Sequence, residues 1–132
     1  MKRGLICLFA FAICFTLAQR AYASQATQIY VYDMDEHVVE VTFNENSNFN
    51  IEQQQWIADI LVNDTLPIQS RAWCWLTGHN YISDAVTVTT HEARVLSPRC
   101  LEETYEVTTC SKCNYYAEDL LGAEYIFCCP EE

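Results

Sequence analysis

Cys110-Ser111-Lys112-Cys113 is the stretch whose residue types and spacing most plainly carry chemistry. Two thiolates separated by two residues can grip one metal ion from a tight knuckle, or they can close and open as a redox pair. Asn114 follows, and after Gly, Asn is among the residues that most readily take the left-handed conformation a curling knuckle uses. Structural zinc is held by four soft or borderline ligands, commonly supplied as two close pairs. Cys74 and His79 form the second pair, a C-x4-H in which Gly78 lets the backbone turn just before the imidazole. The ligand set read from spacing is therefore Cys74, His79, Cys110 and Cys113 around Zn2+. His91 and Cys100 are the alternative second pair. Disulfides alone, or a Cys110–Cys113 redox pair, stay open as other uses of the same thiols.

Cys128 and Cys129 are adjacent, and side chains on neighbouring residues diverge, so they seldom bond to each other. One of them can bridge to Cys100, which would close the C-terminus onto the rest and leave one thiol over. Catalytic signatures are missing elsewhere. His91-Glu92 begins like H-E-x-x-H, but Val95 stands where the second zinc-binding His belongs. There is no nucleophile elbow and no phosphate loop. A thioredoxin-like reading needs Cys110 at a helix N-terminus within a βαβ unit, and Tyr115-Tyr116 after the motif argues against that. The expected function is thus a non-enzymatic binding or structural module stabilised by zinc, disulfides or both. The alternative is a thiol–disulfide oxidoreductase using Cys110 and Cys113.

The chain start tells where such a module works. Met1-Lys2-Arg3 is positive, Gly4 to Ala18 is almost wholly apolar, and Ala21-Tyr22-Ala23 offers small residues to a signal peptidase. The apolar run is shorter than the roughly 20 residues a spanning helix needs. Residues 1–23 therefore read as a secretory signal cleaved between Ala23 and Ser24, and no later stretch is apolar enough to cross a bilayer. Removing 23 of 132 residues leaves 109, enough for one modest core. Three of the seven basic residues leave with the signal, so four face 18 acids and the mature net charge is −14. That balance argues against nucleic acids and anionic membranes, whose recognition needs basic patches, and leaves a protein or cell-surface partner. Six of the eight cysteines remain, in a compartment that permits disulfides.

The elements that position the thiols can be read in order. Gln28–Asp33 and His37–Phe43 are rich in β-branched and aromatic residues around a short polar connection, and predict a β-hairpin with Val39, Val41 and Phe43 on its core face. Asn50 can cap a helix over 51–62, with Gln53 at the capping-box position and Trp56, Ile57, Ile60 and Leu61 on its apolar stripe. Tyr81–Thr90 and Glu103–Thr109 alternate as strands. Ala117–Leu121 suggests a helical turn ended by Gly122, before a last short strand at Tyr125-Ile126-Phe127. The fold class is α+β, mostly β. A β-hairpin and one helix (24–69) precede a Cys/His-rich β-hairpin half with zinc-ribbon-like knuckles (70–132), with a soft boundary near Ser70.

Residues 74–116 resemble small Cys/His modules, zinc-ribbon-like, of exported Gram-positive bacterial proteins. The residues that carry the likeness are Cys74, His79, Thr89-Thr90-His91, Cys100 and Cys110-Ser111-Lys112-Cys113-Asn114-Tyr115, with Asn114 in place of the usual Gly. The resemblance implies a metal site and export, and no reaction. Export makes a direct prediction: N-terminal sequencing of the protein collected from the medium should begin at Ser24, and recovery of Met1 in the membrane fraction would refute it.

Overall fold

A computed structural model describes residues 27–66 and 74–128. The signal segment with its Ala23/Ser24 cleavage point, the boundary near Ser70, and Cys129 lie outside the described residues. Strand β1 (Gln28–Asp33) and strand β2 (Val38–Phe43) form the expected hairpin, closed by Met34 and His37, whose backbone groups bond each other at 2.9 and 3.2 Å. Helix α1 (Ile51–Asn63) follows, then the single turn α2 (Cys74–Thr77). Strands β3 (Tyr81–Thr90), β4 (Cys100–Cys110) and β5 (Cys113–Ile126) complete a five-stranded sheet in the order β1-β2-β3-β4-β5, with every neighbouring pair antiparallel. The chain is α+β and mostly β, with its Cys/His-rich hairpins at the C-terminal end. No helix among the described residues is long and apolar enough to cross a membrane.

One face of this sheet makes the core. Val41 and Phe43 point to it from β2, and the register places Val88 and Val86 opposite them on β3. Val107 and Tyr116 extend the layer onto β4 and β5. Helix α1 lays Ile57, Ala58 and Ile60 against it, while Trp56 packs edge-on to Tyr116 with ring centroids 5.9 Å apart. Phe43 is fully buried and meets Tyr30 and Phe49 edge to face at 5.7 and 6.4 Å. The helix starts where Asn50 directs it. Its Oδ1 accepts from the Gln53 N–H at 2.9 Å, and Gln53 Oε1 accepts from the Asn50 N–H at 3.0 Å. The Tyr32 hydroxyl donates to Asp59 at 2.6 Å and fastens the helix to β1.

Two expectations need correction. Ala117–Leu121 is not a helical turn, and Tyr125-Ile126 is not a separate strand. Both belong to β5, a 14-residue strand that pairs along β4. Helix propensity there is a weak preference, and pairing gives each backbone group on that side a partner, which a lone turn cannot. Gly122 marks an irregularity in that ladder. Tyr105 faces Leu120 and Thr104 faces Gly122, so Leu121 is the extra residue of a β-bulge.

Replacing Phe43 with Ala should cost about 3–5 kcal/mol, as for other fully buried aromatics. Asn50→Ala should cost about 1 kcal/mol through the lost cap. Denaturant unfolding checks both, with the slope unchanged and only the midpoint moved.

Candidate metal centre

The β4–β5 turn carries the knuckle. Cys110 ends β4, Cys113 begins β5, and the two are paired across Ser111-Lys112. The ladder jumps there: Thr109 faces Tyr116, but Cys110 faces Cys113, so Asn114 and Tyr115 bulge outward. This jump curls the knuckle. Asn114 is not left-handed as expected, since the positive φ values among the described residues belong to Asp64, Gly78 and Glu92.

Cys74 and His79 arrive from the turn before β3. The Cys74 carbonyl accepts from the Gly78 N–H at 2.8 Å, and Gly78 takes φ 75°, the left-handed region where a side chain is disfavoured. The turn predicted at Gly78 is therefore present, and it swings His79 toward β4. Tyr81, the first residue of β3, pairs with Cys110 and fixes the reach of the imidazole two residues upstream. Asn80 latches the two turns together. Its side-chain amide donates to Ser111 Oγ at 2.7 Å, and its carbonyl accepts from the Ser111 N–H at 3.1 Å.

The four expected ligands converge. Cys74 Sγ lies 3.6 Å from Cys110 Sγ, Cys113 Sγ lies 3.5 Å from His79 Nδ1, and all four ligand atoms fall within 4.8 Å of one another. Zinc–sulfur bonds of about 2.3 Å and zinc–nitrogen bonds of about 2.0 Å at tetrahedral angles put two sulfurs about 3.8 Å apart and sulfur and nitrogen about 3.5 Å apart. The spacing suits one small tetrahedral ion, and Cys74, Cys110 and Cys113 are free thiols. Cys74 and Cys110 are buried, Cys113 is half-buried and His79 is exposed. His79 is nonetheless held: its ring stacks on Tyr81 at 5.0 Å and 11°, and Tyr115 leans on it at 5.5 Å. Tyr81 was not picked out from sequence, and Tyr115 only as the residue that closes the Cys110–Tyr115 motif.

The electrostatics of the two buried thiols diverge. Burial pushes the Cys74 thiol up to about 12, helped by its hydrogen bonds to Cys113 and Cys110. Burial also raises Cys110, but the backbone N–H groups of Lys112 and Asn80, with His79 and Cys74, outweigh it and bring Cys110 down to about 6. The Lys112 N–H lies 3.4 Å from Cys110 Sγ. No helix follows Cys110, so its lowering owes nothing to a helix dipole.

The alternative pair sits elsewhere. Cys100, at the far end of β4, is disulfide-bonded to Cys128 with an S–S distance of 2.04 Å. Its sulfur therefore offers no thiolate to a metal, and the bridge expected from Cys100 to one of the C-terminal cysteines is made by Cys128. His91 Nδ1 lies 3.3 Å from Cys128 Sγ and 3.8 Å from Cys100 Sγ, and His91 Nε2 lies 3.3 Å from a Glu40 oxygen. Glu40 is a residue sequence reasoning passed over, because nothing local links β2 to the C-terminus.

Compared with protein-family models, curated proteins and solved structures, the chain matches none.

The thiol values set a pH dependence for the metal-free chain. The Cys110 value is depressed from its ordinary 9.0. Its contribution to stability is therefore present above the unfolded value and lost as pH falls through about 6. The Cys74 value is raised, so its contribution is present below the unfolded value and lost as pH climbs toward about 12. In chelator, ultraviolet thiolate absorbance should show one early thiolate near pH 6 that Cys110→Ser removes.

Proposed function

We propose that the protein is a small secreted acidic module in which Cys74, His79, Cys110 and Cys113 hold a structural zinc ion, and whose role is binding to a protein or cell-surface partner. The observation that carries this reading is the convergence of four ligand atoms from two turns within 4.8 Å. Four protein ligands fill a tetrahedron and leave no open position for water or substrate, which is the mark of a structural site. Thiolate and imidazole are the donors zinc prefers, and they suit neither calcium nor magnesium. An ion here would join α2 to the β4–β5 turn, where few large aliphatic side chains are buried. Export rests on the charged, apolar and Ala-Tyr-Ala pattern at the chain start. The likeness to exported zinc-ribbon-like modules over 74–116 points the same way.

The competing reading is a thiol–disulfide oxidoreductase using Cys110 and Cys113. The lowered Cys110 thiol favours it, since the thiolate is the reacting form. Metal content separates the two. Elemental analysis of protein purified without a histidine tag should find about one zinc per chain, as expected when one four-ligand site is filled. Cys110→Ser should abolish the metal and Cys128→Ser should keep it. Chelation should lower the unfolding midpoint and expose α2 and the β4–β5 turn to hydrogen exchange before the α1-covered core. A metal-free protein in which Cys110 and Cys113 are bonded to each other and exchange with a small thiol would sink the zinc reading and install the oxidoreductase.

A further inference from the structure

The opposite end of β4 holds a second arrangement of reactive groups that the zinc reading leaves unused. Cys100 is fully buried, Cys128 is half-buried just beyond β5, and the two are bonded. His91 stands against this bond with Nδ1 3.3 Å from Cys128 Sγ and 3.8 Å from Cys100 Sγ. Its other ring nitrogen faces Glu40 at 3.3 Å. A carboxylate near one nitrogen of an imidazole and a sulfur near the other are the parts of a nucleophile–base–orienter array, here built around a disulfide. His91 and Glu40 also line an open hollow of about 520 Å³ whose other walls include Asp33, Asp35, Glu36 and Glu92. The field of those acids draws cations and repels anions.

We propose that Cys100–Cys128 is a thiol–disulfide exchange site, with His91 as its proton donor and Glu40 as the residue that positions His91, and that its substrate is a dithiol carried on a cationic peptide. The steps balance. A substrate thiol gives its proton to His91 Nδ1 and attacks Cys128 Sγ, the more accessible sulfur; a mixed disulfide forms, the Cys100–Cys128 bond breaks, and Cys100 leaves as a thiolate that takes this proton from Nδ1. The second substrate thiol gives its proton to the imidazole and attacks the substrate sulfur of the mixed disulfide; the bond to Cys128 breaks, and Cys128 leaves as a thiolate that takes the proton from the imidazole. The substrate ends as a disulfide and the protein as a dithiol: two electrons and two protons pass from substrate to protein. Exchange rates depend on the leaving thiol and on access, and a proton donor beside a buried leaving sulfur acts on the first of these. None of the steps involves Cys74, Cys110 or Cys113, so the proposal stands apart from the metal centre.

The test uses the full mature chain carrying Cys129→Ser, which removes the neighbouring sulfur. Native protein is mixed with cysteamine, a cationic thiol, or with mercaptoethanesulfonate, an anionic one. Each rate is normalised to the same thiol's attack on a small neutral disulfide. Mass spectrometry should locate the first adduct on Cys128. Cysteamine should react about 10-fold faster than the sulfonate at low salt, with the preference collapsing as salt rises. His91→Gln should slow exchange about 100-fold at an unchanged unfolding midpoint. In His91→Ala, added imidazole should restore part of the rate, which a merely structural role would not allow. Glu40→Gln should slow exchange less and leave the Cys128 adduct in place. The proposal is overturned if His91→Gln exchanges at the parent rate, if imidazole rescues nothing, or if the disulfide reacts only as fast as the chain unfolds in denaturant.

Discussion

The pairing of β4 with β3 and β5 is the constraint on which the rest of the molecule depends. Among the described residues β4 is the only strand that begins and ends on a cysteine, and its 11 residues span about 33 Å from Cys100 to Cys110. Pairing with β3 sets Tyr81 against Cys110, and so brings the Cys74–His79 turn to the knuckle. Pairing with β5 sets Ile126 against Cys100, and so delivers Cys128 to its partner two residues later. A slip of one residue in either ladder would turn the cysteine side chains to the other face and separate both groups at once. The valines of the core resist that slip, because Val86 and Val107 would move into solvent with it.

The two faces of the sheet are stabilised by different means. On the α1 side, burial of Phe43, Ile57, Val41, Val86 and Val107 supplies ordinary hydrophobic driving force. On the far side, Thr42, Thr87 and Thr104 line up across the strands with Glu40, Glu102 and Glu106 in neighbouring rows. The sulfur chemistry sits at the two ends of this polar side. One end carries the Cys100–Cys128 bridge and the other the converging Cys74, Cys110 and Cys113 thiols. A disulfide and a filled metal site constrain the chain without needing apolar area, which suits an acidic domain of modest size.

Much of this was legible in the chain. The β1–β2 hairpin follows from alternating β-branched residues, and α1 follows from Asn50, Gln53 and the spacing of Trp56, Ile57, Ile60 and Leu61, because these signals are local. The set Cys74, His79, Cys110 and Cys113 was legible for a similar reason: each pair is a short-range spacing, and only their meeting is long-range. Signals failed where pairing decides. Ala117 to Leu121 contains good helix formers, but its backbone is claimed by β4, and no residue within that segment records the fact. The association of Glu40 and His91 with Cys128 spans most of the fold and arises only once β2 and β3 pair, with the His91 N–H bonded to the Val38 carbonyl at 2.8 Å.

The chemistry at the two ends of β4 is set apart by which groups stand beside each sulfur. At the knuckle, Cys74 and Cys110 are buried within 3.6 Å of each other, and leaving both charged without a cation between them would be costly. Their opposed thiol values express that cost: one gives up its proton readily only while the other keeps it. A divalent ion removes the conflict, since it lets both be thiolates at once. At the other end the sulfurs are already neutral in a disulfide, and charge appears there only if the bond opens. The group placed to meet that charge is His91, an imidazole between the sulfurs and a carboxylate. The same element type, a cysteine at the end of one strand, thus stands beside other thiols at one end of β4 and beside an imidazole at the other.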